Sequence, residues 1–233
     1  MVDVERLDPR LRRVLASAAR LQQAVPDAVL VGGSAAALFA GHRASFDHDH
    51  VVADLAERYV AVLEACEATE GWATSLRASR PPMTIMGSLD GIEAGIRQLR
   101  RSRPLQVQDV PLGEGLTVRA PTAAEALRVK SYLVVQRNQV RDYLDVAALA
   151  DRFGLPWSAQ VLSSIDEYYV DRVGEDEAVS TVLVQRLAEP SPKDVRVTRE
   201  LHRYKALDPR WHRWEDVVAV TRELAYLTLQ GDQ

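Results

Sequence analysis

The chain is poor in cysteine: Cys66 stands alone among 233 residues. A single thiol cannot close an internal disulfide, so Cys66 is expected to be a buried, apolar-like residue on a helix, in a cytoplasmic protein. Nor does any run approach the ~18 apolar residues of a membrane span, so no membrane association is expected. The first ten residues carry Asp3, Glu5, Arg6, Asp8 and Arg10 with no apolar segment behind them, unlike a secretory signal. Positive charge is not in excess either. The formal net charge of −4 argues against a general nucleic-acid coat, though not against a local basic groove. Neither a cysteine pair nor a His-Glu-x-x-His helix is present, so the histidines do not point to zinc. Internal repeats and low-complexity segments are absent too.

What is present centres on Ala28 to Leu55. Ala28, Val29, Leu30 and Val31 run into Gly32-Gly33-Ser34, an alanine-rich segment follows, and Asp47 and Asp49 precede Val51-Val52. The pattern predicts strand, glycine turn, helix, strand. Asp47 and Asp49 are two apart, so on a strand they leave the same face and can hold a divalent metal between them. Paired carboxylates are hard oxygen ligands suited to Mg2+, or Mn2+ in its place, with waters and substrate phosphates completing the shell. Backbone N–H groups at Gly32 and Gly33 can approach a triphosphate, the Ser34 hydroxyl can add a hydrogen bond, and the helix behind them offers its positive end.

Around this stretch the pattern predicts further elements. Leu11, Val14, Leu15, Ala18 and Leu21 make one helical face within Leu7 to Ala24, and Leu55, Tyr59, Val62, Leu63 and Cys66 make another, closed by Gly71. Trp72 to Ala78 and Met83 to Gly87 read as extended, Asp90-Gly91 as a hairpin turn, and Gln106 to Val110 with Leu116 to Val118 as a further strand pair. Beyond Pro121 helical patterns dominate, broken at Gly154, Gly174 and Glu189-Pro190-Ser191-Pro192. An α+β chain is expected: an α/β domain over 1–120 with a mixed sheet, and a helical domain over 121–233 that completes the active site.

Gly-Ser followed about a dozen residues later by Asp-x-Asp resembles the polymerase-β-like nucleotidyltransferase superfamily. Within it, Glu125 to Gly154 is similar to the Lys…Arg…Arg-Asp-x-x-Asp block of the AbiEii/AbiGii toxin-type nucleotidyltransferases, and the resemblance covers about residues 25–154. It implies magnesium-dependent transfer of a nucleoside monophosphate from an NTP to an acceptor. For toxin members the acceptor is RNA, in particular the 3′ end of tRNA, and a cognate antitoxin is the partner. Asp47 and Asp49 would then hold metal, Ser34 and Lys130 would grip phosphates, and Asp145 or Glu93 would activate the acceptor hydroxyl. An antibiotic-modifying nucleotidyltransferase with a small acceptor and a non-catalytic nucleotide-binding module are the rival readings.

Each residue also has a plainer reading. Ser34 can cap a helix, Arg43 can reach the triphosphate or pair with a carboxylate, and Lys130 can snorkel out of an apolar stretch. Asp142 and Asp145 share a helical face and can form surface pairs with Arg137 or Arg141; the family spacing favours Asp145 as the functional carboxylate, with Asp142 orienting Arg141 or Arg137. His48 and His50 stand where the family is more often apolar. They either face the far side of the sheet and hydrogen-bond there, or contact nucleotide or metal. Two basic clusters, Arg97 to Arg103 and the Arg196 to Trp214 tail with its interleaved aromatics, are either solvated faces or phosphate-tracking surfaces.

Overall fold

The computed structural model describes residue 4, residues 7–170 and residues 177–231; Asp3, Glu5, Arg6 and the Gly174 break lie outside the described residues. The chain divides into two compact units, Met1–Leu38 with Ala44–Thr122, and Phe39–Arg43 with Ala123–Gln233.

In the first unit, helix α1 (Pro9–Ala24) starts where sequence rules place a start: Asp8 accepts from the Arg10 N–H at 2.7 Å and Pro9 occupies the first turn. Its expected apolar face, Leu11, Val14, Leu15, Ala18 and Leu21, is buried. Strand β1 (Val29–Val31), helix α2 (Gly32–Ala40) and strand β2 (Asp47–Val52) follow. There is no separate glycine turn, because Gly32, at φ +73°, turns the chain straight from β1 into α2. Helix α3 (Leu55–Glu67) stops at Ala68 rather than Gly71, and Gly71, at φ +86°, instead accepts from the Asp90 N–H at 3.0 Å, where a Cβ would run into the Asp90 carboxylate.

Strands β3 (Trp72–Thr74), β4 (Thr84–Leu89) and β5 (Ile92–Gln98) complete a five-stranded sheet of order β1-β2-β5-β4-β3. The sheet is mixed, since β2 and β5 run parallel while the other neighbours are antiparallel. Asp90-Gly91 makes the β4–β5 turn with φ of 50° and 78°, the left-handed pair that a tight hairpin requires. The expected strand Trp72 to Ala78 is cut short at Thr74. Beyond it Ser79 folds back, its N–H on the Ser75 carbonyl and its hydroxyl against Ser75 and Met86. Cys66 is fully buried in a cluster with Leu21, Val52, Leu55, Ile85, Leu89 and Ile96, where truncating one large side chain to alanine costs about 2–5 kcal/mol.

Strands β6 (Val107–Gly113) and β7 (Leu116–Pro121) form a separate two-stranded sheet among the described residues. Gln22 of α1 clamps this ribbon, donating to the Arg119 carbonyl at 2.8 Å and accepting from the Arg119 N–H at 2.7 Å. That double bond satisfies a buried amide and a stretch of backbone together.

The second unit is helical: α4 (Ala123–Arg137), α5 (Val140–Phe153), α6 (Leu155–Ser163), α7 (Val179–Ala188) and α8 (Trp214–Gln230), with short 3-10 turns at Ile165–Tyr168, Val195–Arg203 and Pro209–Trp211. Helix α5 packs against α4, α6 and α8 and is buried at every residue from Asp142 to Ala150. Its centre has no solvent face. Tyr143 is enclosed, its hydroxyl donating to Asn138 Oδ1 at 2.6 Å and its ring set edge-on to Trp214.

Candidate active site

Alternation along β2 sends Asp47 and Asp49 to one face, partly exposed, and His48 and His50 to the other, buried. Parallel pairing places Asp47 opposite Glu93, Asp49 opposite Gly95 and Val51 opposite Arg97. Glu93, Asp47, Asp49 and Arg97 therefore share one face of the sheet. Glycines make room for Asp49. A Cβ on Gly95 would lie 2.7 Å from Asp49 Oδ1 and one on Gly32 would lie 3.4 Å from Oδ2, so the carboxylate sits in a notch that larger residues would fill.

Ser34 has another partner than those expected from the sequence. Its buried hydroxyl donates to the Asp47 carbonyl at 2.5 Å, tying the start of β2 to α2 rather than capping the helix or facing a phosphate. The Ser45 hydroxyl lies 3.3 Å from Asp47 Oδ1. Gly33 is partly exposed in the first turn of α2, where backbone N–H groups lack helical acceptors.

The donor set suits magnesium. Asp47 and Asp49 offer only oxygen, and among the described residues no group of three or more His, Cys, Asp or Glu is gathered into a cage. Two carboxylates completed by substrate phosphates is how Mg2+ is ordinarily held. A closed structural site would need more ligands.

His48 and His50 do not reach that face. His48 Nε2 meets the Ser17 hydroxyl at 3.1 Å, and the two rings stand edge to face, 5.2 Å between centroids. Burial pulls the His48 pKa down to about 4, against the attraction of Asp47. Burial, and then the neighbouring His48, put His50 well below its ordinary value. Folded His48 thus stays neutral down to pH about 4, while the unfolded chain takes up its proton near 6.5. Unfolding binds a proton between those values, so stability falls as pH is lowered through that window and His48 adds no further loss below it. The expected contribution is about 3 kcal/mol at pH 4. Urea melts of wild type and His48→Gln at pH 7, 6, 5 and 4.5 isolate it by difference. Parallel stability–pH curves would show that His48 titrates normally.

In the second unit the sequence-nominated residues converge on Asp145, which is fully buried. Arg43 grips it as a fork, Nε to Oδ1 at 2.9 Å and Nη2 to Oδ2 at 3.1 Å; Lys130 Nζ is 2.7 Å from Oδ2 and His42 Nε2 is 2.8 Å from Oδ1. Burial raises the Asp145 pKa, but Arg43, Lys130 and His42 outweigh it and hold the carboxyl well below the usual range. Burial lowers the His42 pKa, against the Asp145 hydrogen bond that would raise it. Of the readings open for Arg43, the carboxylate pair is the one observed. Lys130 neither snorkels nor presents its charge outward, being 5% exposed.

Asp142 is not a surface ion-pairing residue, nor does it orient Arg141 or Arg137. It is completely buried, and neither carboxylate oxygen receives a hydrogen bond. Burial pushes its pKa up. Arg141 is exposed. Sequence reasoning missed His42 and Gly95, the first because nothing local links it to a carboxylate 103 positions away. The second shows only once β2 and β5 are paired.

No protein-family model matches the sequence. Among solved structures, MenT4, a nucleotidyltransferase toxin from Mycobacterium tuberculosis H37Rv, superposes with a TM-score of 0.61 at 20% identity, over 94% of this chain and 82% of that one. JHP933 from Helicobacter pylori gives 0.52 at 16% identity, over 97% and 94%. The chain has a nucleotidyltransferase fold. In sequence it is also 31% identical over 209 residues to the heme uptake protein MmpL11 of M. tuberculosis, an alignment covering 79% of this chain and 20% of that protein. It is 40% identical over 96 residues to the mycolic acid-containing lipids exporter MmpL11 of Mycolicibacterium smegmatis, 41% of this chain and 10% of that protein. The chain thus spans at most about a fifth of the length of the curated relatives it matches. Among the described residues no helix is long and apolar enough to cross a membrane.

Proposed function

We propose that this chain is a magnesium-dependent nucleotidyltransferase of the AbiEii/AbiGii toxin type, moving a nucleoside monophosphate from an NTP to the 3′ end of tRNA and restrained by a cognate antitoxin. The observation that carries the reading is the pair of carboxylates, Asp47 and Asp49, set on one face of β2 in a glycine-cleared notch beside the start of α2. The fold shared with a nucleotidyltransferase toxin supports it.

In this mechanism Asp47 and Asp49 hold the metal, which when bound screens the charge developing on the triphosphate. Ser34 fixes the Asp47 backbone, so the carboxylates need little reorganisation. N–H groups of Gly33 and its neighbours at the N-terminus of α2 receive phosphate oxygens. Glu93, exposed on the same face opposite Asp47, takes the proton of the acceptor hydroxyl. The hydroxyl oxygen forms a bond to the α-phosphorus, the bond between that phosphorus and its bridging oxygen breaks, and pyrophosphate leaves. Asp145 is ill suited to be that base, since its oxygens are already engaged by three side chains. We assign it instead the anchoring of His42, Arg43 and Lys130.

Of the two basic clusters the tail is better presented to RNA. Arg196, Arg199, His202 and Arg203 are exposed on one 3-10 stretch and have no acidic partner among the described residues, whereas Arg101 is folded onto the Arg103 and Pro104 carbonyls. Arg196→Ala, Arg199→Ala and Arg203→Ala together should flatten the log–log salt dependence of tRNA binding by about 2, at about 0.7 per lost contact. Fluorescence anisotropy across a salt series reads this. An unchanged slope would move the acceptor elsewhere.

Incubation with each labelled NTP, total tRNA and Mg2+ tests the whole reading, label on tRNA being the expected result. Label on a small hydroxylated compound instead would favour the antibiotic-modifying alternative. NTP binding with no turnover under any condition would leave a nucleotide-binding module.

A further inference from the structure

Arg97 was grouped by sequence with the arginines that follow it, but its side chain points into the carboxylate face. Nε and Nη2 both stand 3.5 Å from Asp49 Oδ1, and Nη2 is 3.6 Å from the Met86 sulfur. The contact is long for an arginine fork, whose charge-assisted bonds are ordinarily about 2.7–2.9 Å. Both partners are accessible, with 47% of the Arg97 side chain and 32% of the Asp49 side chain exposed. The Asp49 carboxylate occupies room that glycine leaves at positions 95 and 32, where a Cβ would lie 2.7 Å from Oδ1 and 3.4 Å from Oδ2. Arg97 can move, lying near the end of β5 with only this loose pair and a sulfur to hold its side chain among the described residues.

We propose that Arg97 is a displaceable counter-ion, competing with the divalent metal for Asp49 and passing to the triphosphate when metal and nucleotide arrive together. The proposal rests on the metal reading of Asp47 and Asp49 above. A dication held by the Asp49 carboxylate would repel a guanidinium resting on that same oxygen. A lone metal ion must expel Arg97 into water. A metal ion carrying a triphosphate brings the anion to which the freed guanidinium can turn, so the site is built to take the metal–nucleotide complex rather than the bare ion.

The test uses the full chain and two readouts: Mn2+ binding followed by the electron paramagnetic resonance of free Mn2+, and binding of a non-hydrolysable NTP analogue by calorimetry. Arg97→Gln should bind nucleotide-free Mn2+ about two- to fivefold more tightly, the factor appropriate to removing one exposed ion pair. The same variant should bind the Mn2+–nucleotide complex more weakly, while Arg97→Lys stays near wild type in both. An Arg97→Gln protein with unchanged or weakened Mn2+ affinity, or with both affinities raised, overturns the proposal. Loss of Mn2+ binding in Asp49→Asn would meanwhile keep the metal site itself standing. If neither wild type nor Arg97→Gln binds Mn2+ even with nucleotide, the metal reading falls and the counter-ion falls with it.

Discussion

Asp49→Asn is expected to lower nucleotide transfer by about a thousandfold, and Asp47→Asn by a similar factor, with neither variant unfolded. Metal coordination supplies several kcal/mol of transition-state stabilisation, and about 4 kcal/mol is a factor of a thousand in rate. Folding should be spared because Asp47 and Asp49 repel one another in a partly exposed site, so neutralising one relieves strain between like charges. Arg97 loses its partner in Asp49→Asn, but it is half exposed and finds water instead. The check is a single-turnover transfer assay beside a urea melt. Full transfer in both variants would mean that the carboxylates hold no catalytic metal.

The second large effect is on stability and divides two carboxylates only three residues apart. Asp145→Asn should destabilise the protein by about 3–5 kcal/mol, the usual consequence of removing one partner from a buried ionic cluster. Arg43 and Lys130 would be left at 5% exposure each without their main acceptor. Asp142→Asn should be close to neutral, since no hydrogen bond reaches the Asp142 carboxylate and burial already favours its uncharged form. Adding Lys130→Met to Asp145→Asn should recover part of the loss, as coupled neighbours do in a double-mutant cycle. A stable Asp145→Asn protein that has nevertheless lost transfer would show a chemical role for Asp145 in place of an anchoring one.

The contrast shows what could be read in advance. Periods of two and of 3.6 were visible, so the face shared by Asp47 and Asp49, the buried stripe of α1 and the Asp90-Gly91 turn follow from residue types within a few positions of each other. Surface ion pairs of Asp142 and Asp145 with Arg137 or Arg141, one of the two readings the local rule leaves open, are not observed, because α5 is enclosed by α4, α6 and α8. Whether a helix has an outer face is a tertiary fact. The same holds for Ser34, whose hydroxyl found a carbonyl 13 positions on, and for Lys130, whose charge met a carboxylate that His42 and Arg43 also hold. Parallel pairing of β2 with β5 is likewise silent in sequence, yet it alone puts Glu93 and Arg97 beside the aspartates.

Strand β2 has one more property, which belongs to its order of residues rather than to any one of them. Asp-His-Asp-His places two acids on the wet face and two neutral imidazoles in the core. A slip of the strand by one position would exchange the two sets. It would drive two carboxylates into an apolar interior and expose an imidazole pair better suited to zinc or copper than to magnesium. The alternation therefore fixes the register of β2 strongly, because a one-residue slip would be penalised in folding and would set imidazoles where the carboxylates now stand.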